Sequence, residues 1–269
     1  MVQSPASEAT LIGKGSQASI QRGFLHSSPV AIKIYPKDSK GCSGFRKEVY
    51  ILSRVSGKRG IVEFCGVCEN TQAIMMKRYD CDLFQYFFES ERRRSQMEAR
   101  NVLKQVCRGV SHLHSAGIAH LDIKPENVLV DLETKEFSLC DFGLSYVGTN
   151  NKRRLIPHIG RIGTPDYMAP EVLSSPPLYD PYAADIFSLG LLFFALITGM
   201  YPDFSSTGDF AYPMNLKVST ACDKFLRSLL SFKPEERPRI EDILKHPFLK
   251  KSCLTKLKTK AKKAKSRTW

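Results

Sequence analysis

Residues 120–127 read His-Leu-Asp-Ile-Lys-Pro-Glu-Asn, which places a carboxylate, an ammonium group and an amide within one short segment. Two apolar runs follow, at 128–130 and 137–139, with polar residues between them. This pattern predicts a β-hairpin, and the octapeptide precedes it. The tripeptide Asp-Phe-Gly stands just after the hairpin, at 141–143. A cation such as Lys124 in this segment acts electrostatically where negative charge develops on a reacting group.

Two segments nearer the N-terminus favour phosphate binding. Residues 12–20, Ile-Gly-Lys-Gly-Ser-Gln-Ala-Ser-Ile, lie between two predicted strands, and their glycines let backbone N–H groups approach phosphate oxygens. Residues 30–33, Val-Ala-Ile-Lys, place Lys33 in a strand, where it can pair with phosphates and with a carboxylate on a nearby helix. Glu48 is the expected carboxylate, because the apolar spacing of 45–55 is helical; the alternative is a solvated glutamate.

Two further motifs complete the set: Gly-Thr-Pro-Asp-Tyr-Met at 163–168 and Ala-Pro-Glu at 169–171. In this order and approximate spacing, the motifs resemble those of the eukaryotic-type protein kinase superfamily, in its serine/threonine branch, over roughly residues 11–249. The resemblance implies a bilobal protein kinase fold of the α+β class, with a β-rich N-lobe containing one main helix and an α-rich C-lobe. It also implies transfer of the γ-phosphoryl group of ATP to serine or threonine hydroxyls of protein substrates.

The resemblance assigns the catalytic roles residue by residue. Asp122 matches the residue that accepts or orients the proton of the substrate hydroxyl, and Lys124 would neutralise charge on the migrating phosphoryl group. Thr164 matches the threonine whose hydroxyl bridges Asp122 and Lys124. Lys33, braced by Glu48, would orient the phosphates of ATP.

The same resemblance implies ATP and magnesium as cofactors. Asn127 and Asp141 match the magnesium ligands, and magnesium prefers oxygen donors. Met76 is expected to guard the back of the adenine pocket, and the backbone of 77–79 is expected to meet the adenine edge. The residues predicted to bind the nucleotide are Ile12, Gly13, Gly15, Ile20, Ala31, Lys33, Glu48, Met76 and Tyr79.

Two further matches are structural. Asp185 corresponds to the aspartate that holds the backbone of the catalytic loop. Arg237 corresponds to the arginine that pairs with the glutamate of the Ala-Pro-Glu motif, which is Glu171 in this chain.

The chain departs from the family pattern at two positions. Ala18 replaces the third glycine of the phosphate loop, with a modest effect expected on nucleotide affinity. Leu121 stands where the family usually has an arginine that reads a phosphate on the activation segment. A leucine side chain cannot bind a phosphate through charge-assisted hydrogen bonds. We therefore expect that kinase activity does not require phosphorylation at the candidate hydroxyls of Ser145 and Thr149. The His-Leu-Asp variant is also similar to Mos-like and some herpesvirus kinases.

Hydrophobic periodicity predicts a strand-rich part followed by a helix-rich part, with the joint near residues 77–80. We expect an N-lobe at 8–79, a C-lobe at 80–249 and a flexible basic tail at 250–269. The predicted strands include 30–35, 61–67 and 73–76. Gly117 is the expected stop of a helix with an apolar stripe from 102 to 113. Further helices are predicted at 185–198, 220–231 and 240–244.

Charge is concentrated at the C-terminus. The net charge is +13, and residues 250–269 hold nine basic and no acidic residues, so 13 − 9 leaves +4 for the rest. The lysine-rich stretch 256–267 is either a nuclear-localisation or nucleic-acid patch or a solvated terminus. Charged residues elsewhere predict opposite substrate preferences, and both stay open. Asp82 and Glu126 favour substrates with basic residues near the acceptor hydroxyl, whereas the basic residues 152–154 favour acidic or phosphorylated ones.

The remaining composition indicates a soluble intracellular protein, which we take to be a monomer. The longest apolar stretch, 187–199, is shorter than the ~20 residues that span a bilayer. Residues 1–10 lack the apolar core of a secretory signal. Cys65 and Cys68 have zinc-ligand spacing, but no second pair completes four ligands, which favours buried thiols in a reducing compartment.

Three functions compete. An active kinase needs Lys33, Asp122, Asn127 and Asp141, and all four are present. A pseudokinase would use the same fold as a binding module and would show no magnesium-dependent turnover of ATP. A nucleic-acid-binding protein would depend on the tail, because the body of the chain has no separate recognition motif.

Overall fold

A computed structural model describes residues 11–14, 18–89, 95–148 and 155–250. Gly15, Thr149, the basic residues 152–154 and the tail after Lys250 lie outside the described residues. The fold is of the predicted α+β class: strands predominate up to about residue 77, and helices predominate from residue 96 onward.

The strands are β1 to β12 in chain order: Leu11–Lys14, Ser19–Leu25, Ser28–Ile34, Phe64–Cys68, Ala73–Lys77, Cys81–Asp82, Ile118–Ala119, Val128–Asp131, Glu136–Leu139, Tyr146–Val147, Ile156–Pro157 and Leu178–Tyr179. The helices are α1 to α7: Ser39–Val55, Gln96–Ser115, Pro170–Ser174, Pro181–Thr198, Thr220–Leu229, Ile240–Lys245 and Pro247–Lys250. Short helical turns lie at Glu69–Thr71, Gln85–Glu89, Pro125–Asn127, Pro165–Tyr167 and Pro234–Glu236.

The N-terminal sheet is antiparallel, with strand order β1-β2-β3-β5-β4. The predicted strand at 61–67 begins later, at Phe64, because Ile61 forms an isolated bridge to Leu139 instead of joining the sheet. The predicted hairpin is confirmed: β8 pairs with β9, with Val128 opposite Leu139. It forms a second, three-stranded sheet with β6, which lies against the first helix of the C-terminal part.

Helix α1 begins at Ser39, six residues before the predicted start. Its N-cap is Asp38, whose carboxylate accepts a hydrogen bond from the backbone N–H of Gly41 at 2.6 Å. The apolar spacing is clear only from Phe45 onward, so periodicity alone missed the first turn. Glu48 lies on the buried face of the helix and is only 1% exposed. The helix therefore turns a carboxylate toward the interior.

Helix α4 forms the centre of the C-terminal part. Every residue of Pro181–Thr198 except Thr198 is buried. The helix starts four residues before the predicted position, because Asp180 caps it and Pro181 suits its first turn. Among the described residues it is the one helix long and apolar enough to cross a membrane, and 89% of it is enclosed by the fold. It packs on α2 as a core helix.

The two parts of the chain approach backbone to backbone at Gly60 and Gly109. A Cβ on Gly109 would lie 2.2 Å from the carbonyl oxygen of Gly60, so only glycine fits this position of α2. The carbonyl oxygen of Gly60 also accepts a hydrogen bond from Leu139 at 2.9 Å. The loop after α1 is thus fixed against both α2 and the hairpin.

Candidate active site

A cavity of about 360 Å³ lies between the N-terminal sheet and the C-terminal part. The described residues that line it are Ala18, Ile20, Ala31, Lys33, Glu48, Val62, Met76, Lys77, Asp122, Lys124, Glu126, Asn127, Leu129, Cys140, Asp141, Gly143 and Leu144. Polar groups from distant parts of the chain therefore converge on one enclosed volume, with apolar side chains of the sheet on one side.

Lys33 holds the two sides of this cleft together. Its Nζ donates to Glu48 Oε2 at 2.6 Å and to Asp141 Oδ1 at 3.0 Å. Burial alone would lower the pKa of Lys33, but the carboxylates of Glu48 and Asp141 raise it well above its usual value. Lys33 also overcomes the effect of burial on Asp141, whose pKa is lowered. Lys33 and Asp141 are therefore both charged at neutral pH.

Glu48 has a second donor that sequence reasoning missed. The hydroxyl of Tyr35, two positions after Lys33 in the chain, donates to Glu48 Oε2. Burial and the Glu48 charge raise the pKa of Tyr35, so the hydroxyl stays protonated and available as a donor. The other oxygen, Glu48 Oε1, is buried and has no hydrogen-bond partner among the described residues.

Asp122 is enclosed by donors from two segments. Its Oδ1 accepts from the backbone N–H of Thr164 at 2.9 Å and from the Thr164 hydroxyl at 2.8 Å. Its Oδ2 accepts from Asn127 Nδ2 at 2.8 Å and lies 3.1 Å from Lys124 Nζ. Lys124 donates to the Thr164 hydroxyl at 2.6 Å, so Thr164 bridges Asp122 and Lys124 as predicted.

A buried carboxylate shapes the loop that carries Asp122. Asp185 on α4 is fully buried and accepts hydrogen bonds from the backbone N–H groups of His120 and Leu121, both at 2.8 Å, and His114 Nε2 lies 2.9 Å away. Leu121 has φ of 63°, a left-handed conformation that is costly for a branched side chain. The hydrogen bonds to Asp185 stabilise this conformation, which turns Asp122 into the cleft.

Two oxygens in the cleft suit a magnesium ion. Asn127 uses Nδ2 to donate to Asp122, which leaves its Oδ1 without a partner among the described residues. Asp141 uses Oδ1 for Lys33 and for the N–H of Gly143, and its side chain remains half exposed. Both residues line the same cavity. An amide oxygen and a carboxylate oxygen are hard donors of the kind that magnesium prefers, so the residues present fit the implied ion.

Leu121 lies in apolar surroundings. It is 7% exposed and shares a small pocket with side chains of the activation segment, among them Ile162, Met168 and Val172. Ser145 is 2% exposed, and its hydroxyl donates to the carbonyl oxygen of His120 at 3.2 Å. Phosphorylation of Ser145 would require this buried hydroxyl to leave the catalytic loop, so of the two candidate hydroxyls Ser145 is inaccessible in this conformation.

The predicted nucleotide-binding residues do not all line the cavity. Ile20, Ala31, Lys33, Glu48 and Met76 do so. Ile12 and Gly13 lie on β1 outside that lining, and Ile12 is 42% exposed. The side chain of Tyr79 points to the opposite face, where its hydroxyl donates to Ser138 at 3.3 Å. Tyr79 therefore does not line the cleft.

Four cleft residues were not predicted from the sequence, namely Val62, Leu129, Cys140 and Leu144, whereas Lys77 belongs to the predicted segment 77–79. Leu129 had a usable signal, since alternation along β8 turns it away from the buried Val128 and Val130. Burial raises the pKa of the Cys140 thiol, so this cysteine is an unreactive part of the wall.

The predicted ion pair between Arg237 and Glu171 of the Ala-Pro-Glu motif is present in the structure. Arg237 donates to Glu171 with both terminal nitrogens, at 2.6 and 2.8 Å, and also to the carbonyl oxygen of Ala183. The guanidinium stacks over Phe187 at 4.8 Å. A buried, bidentate pair of this kind fixes the end of the activation segment on α4.

Comparison with known proteins agrees with this geometry. The protein kinase domain family matches residues 7–249. The chain belongs to the protein kinase family. It is 30% identical over 269 residues to the death-associated protein kinase related protein of Drosophila melanogaster, covering 91% of this chain and 39% of that protein.

Two further relatives are named serine/threonine kinases. Serine/threonine-protein kinase 17A of Oryctolagus cuniculus is 34% identical over 176 residues, which cover 60% of this chain and 42% of that protein. Serine/threonine-protein kinase GIN4 of Saccharomyces cerevisiae is 35% identical over 166 residues, with 57% and 14% covered. The chain thus spans well under half the length of these relatives.

Lys47 makes a contact that the sequence motifs of this kinase domain did not indicate. It stands beside Glu48 on α1, and its Nζ donates to the carbonyl oxygen of Gly143 at 3.0 Å. Helix α1 is therefore tied to the Asp-Phe-Gly segment twice: directly through Lys47 with Gly143, and indirectly through Glu48, whose partner Lys33 also binds Asp141. Burial lowers the pKa of Lys47, which is consistent with an enclosed contact.

We expect Lys47→Met to lower kcat for peptide phosphorylation about tenfold, because it removes one charge-assisted hydrogen bond that holds Asp141 in place. KM for the peptide should change less than kcat, and Lys47→Arg should restore most of the activity. Lys40→Met is the matched control, since Lys40 is exposed on the same helix. Equal kcat values for Lys47→Met and Lys40→Met would contradict a positioning role.

Proposed function

We propose that this chain is an active serine/threonine kinase that transfers the γ-phosphoryl group of ATP to hydroxyls of protein substrates. The observation that carries the proposal is the convergence of Lys33, Asp122, Asn127 and Asp141 on one cavity. These residues come from a strand, a loop, a helical turn and the segment after a hairpin. Such an arrangement supports phosphoryl transfer by positioning and electrostatics, which dominate this chemistry.

In the proposed complex the adenine lies against the apolar wall formed by Ala31, Val62, Met76 and Leu129, and the phosphates point toward Lys33. Asn127 and Asp141 hold magnesium, which neutralises charge on the phosphates when it is bound.

Asp122 orients the incoming hydroxyl and accepts its proton in this proposal. Its carboxylate is already aligned by Thr164 and Asn127, so little reorganisation is needed when a substrate arrives. Lys124 lies 3.1 Å from Asp122, on the side where negative charge develops. We also propose the lobes at 8–79 and 80–249, with the hinge between them.

The test is phosphorylation of a degenerate peptide array with magnesium and ATP, since it reports activity, acceptor residue and flanking preference together. Asp122→Asn should lower the rate about a thousandfold while ATP binding persists, because removal of a general base typically costs 10²–10⁴ in rate. Asp203→Asn, at an exposed carboxylate outside the cleft, should leave the rate unchanged. A wild-type rate no higher than that of Asp141→Asn would favour a binding module instead.

We further propose that apolar packing replaces phosphate recognition in the activation segment, as the His-Leu-Asp variant of Mos-like and some herpesvirus kinases suggests. Leu121 lines a small pocket together with Ile162, Met168 and Val172, where an arginine would require a charged partner. A second contact comes from β11, which pairs with β12 and so joins the activation segment to the chain after α3. These contacts order the segment without an added phosphate.

Thr149→Ala should accordingly keep at least about half of the wild-type activity, because Leu121 replaces the arginine that would bind a phosphate on this segment. The measurement is the initial rate on a fixed peptide, made on protein freed of phosphate by a phosphatase. Ser145→Ala serves as a contrast and should lower the melting temperature, since it removes a buried hydrogen bond worth about 1 kcal/mol. Loss of nearly all activity in Thr149→Ala would refute the proposal.

A further inference from the structure

A second cavity, of about 450 Å³, lies outside the cleft. It shares no lining residue with the cleft. Its walls come from the loop after α1, the start of β4, the hinge, α2 and β9. The described residues that line it are Ser56, Gly57, Lys58, Arg59, Gly60, Ile61, Glu63, Phe64, Tyr79, Gln105, Arg108, Glu136, Phe137 and Ser138.

The walls of this second cavity are fixed by the fold. Gly60 lies in backbone contact with Gly109, and its carbonyl oxygen accepts from Leu139. The side chain of Gln105, which lines the cavity, is held by two hydrogen bonds. Its amide nitrogen donates to the carbonyl oxygen of Lys135 at 3.1 Å, and its amide oxygen accepts from the N–H of Phe137 at 3.3 Å. A ligand would therefore meet a preformed site rather than one that it has to organise.

Three cations in the lining have no partner. Lys58, Arg59 and Arg108 are exposed, and none of them forms a side-chain hydrogen bond or an ion pair with any described residue. Burial, and to a smaller extent the charge of Lys58, lowers the pKa of nearby His112. Arginine side chains in particular present paired donors that match carboxylates and phosphates.

The same lining limits what kind of anion fits. Glu63 and Glu136 contribute two carboxylates, which would repel a chain of closely spaced phosphates such as nucleic acid. Phe64 is half-buried and adds apolar surface beside the cations, whereas Ile61 and Phe137 are buried behind the lining. A polypeptide with one anionic group next to apolar side chains satisfies all of these constraints.

We propose that this cavity is a docking site for an anionic segment of a partner protein, carrying a phosphorylated or carboxylate side chain, that binds outside the catalytic cleft. The anionic group would be held by Lys58, Arg59 and Arg108, and a neighbouring apolar side chain would lie against the half-buried Phe64. The site goes beyond the proposed kinase activity, because none of the residues that line it lines the cleft. Its test therefore does not require turnover.

The experiment measures fluorescence anisotropy of labelled degenerate nonapeptides whose central residue is phosphoserine, glutamate or serine. Full-length wild type should bind the phosphoserine or glutamate pool more tightly than the serine pool. The triple variant Lys58→Glu, Arg59→Glu, Arg108→Glu should bind that pool at least about tenfold more weakly, since charge-assisted hydrogen bonds are lost. The single variant Arg108→Gln, with wild-type melting temperature as a check, should show a smaller loss in the same direction.

A matched control separates this site from general attraction to a basic protein. The variant Lys217→Glu, Lys224→Glu, Lys245→Glu changes the net charge equally at exposed lysines of the C-terminal part. It should bind the peptides like wild type.

Four results would overturn the proposal. The first is an equal loss of affinity in the control variant, and the second is no preference of wild type for the anionic pools. The third is displacement of the peptides by inorganic phosphate at the same concentration as by unlabelled peptide. The fourth is tighter binding of a single-stranded oligothymidine with the same sensitivity to the triple variant, which would assign the cavity to nucleic acid.

Discussion

The buried ammonium group of Lys33 is the interaction on which the rest of the site depends. A charge with 7% exposure is tolerated only when it is paired, and its two carboxylate partners come from α1 and from the segment after β9, 108 positions further along the chain. Glu48 is held in turn by Tyr35, and Asp141 is held by the N–H of Gly143. One cation therefore fixes the relative position of the sheet, the helix and the Asp-Phe-Gly segment, and the cleft exists because these three meet.

A second buried ionisable side chain, that of Asp185, positions the catalytic loop in the C-terminal part. Asp185, on the fully enclosed helix α4, holds the backbone of His120 and Leu121 and keeps Leu121 in a left-handed conformation. The backbone of the catalytic loop is thus held by the core of the C-terminal part. The position of Asp122 depends on α4, a helix that does not line the cleft. Lys33 on the sheet and Asp185 in the helical part each fix the position of nearby reactive groups. These groups meet in the cleft between the two parts, which is why a site for phosphates arises there.

The order and spacing of the motifs allowed the α+β fold and most of the cleft to be predicted, because Lys33, Asp122, Asn127 and Asp141 each carry a chemistry that few other roles require. The misses share a physical cause: they depend on contacts between distant segments, which local pattern does not contain. The burial of Ser145 under His120, the bond from Lys47 to Gly143 and the direction of the Tyr79 side chain are all of this kind. Asp38 and Asp180 are local N-cap signals for the early starts of α1 and α4. The prediction missed them because it relied on apolar periodicity, which becomes clear only later in each helix.

A double-mutant cycle on Lys33 and Asp141 tests the central claim most directly. The quantity to measure is the rise in melting temperature that magnesium and ATP produce in wild type, Lys33→Met, Asp141→Asn and the double variant. If the two side chains act as one unit, each single variant loses most of that rise and the double variant loses little more, which is the non-additivity expected of residues in contact. A full magnesium- and ATP-dependent rise in Lys33→Met, or losses that simply add, would contradict the account.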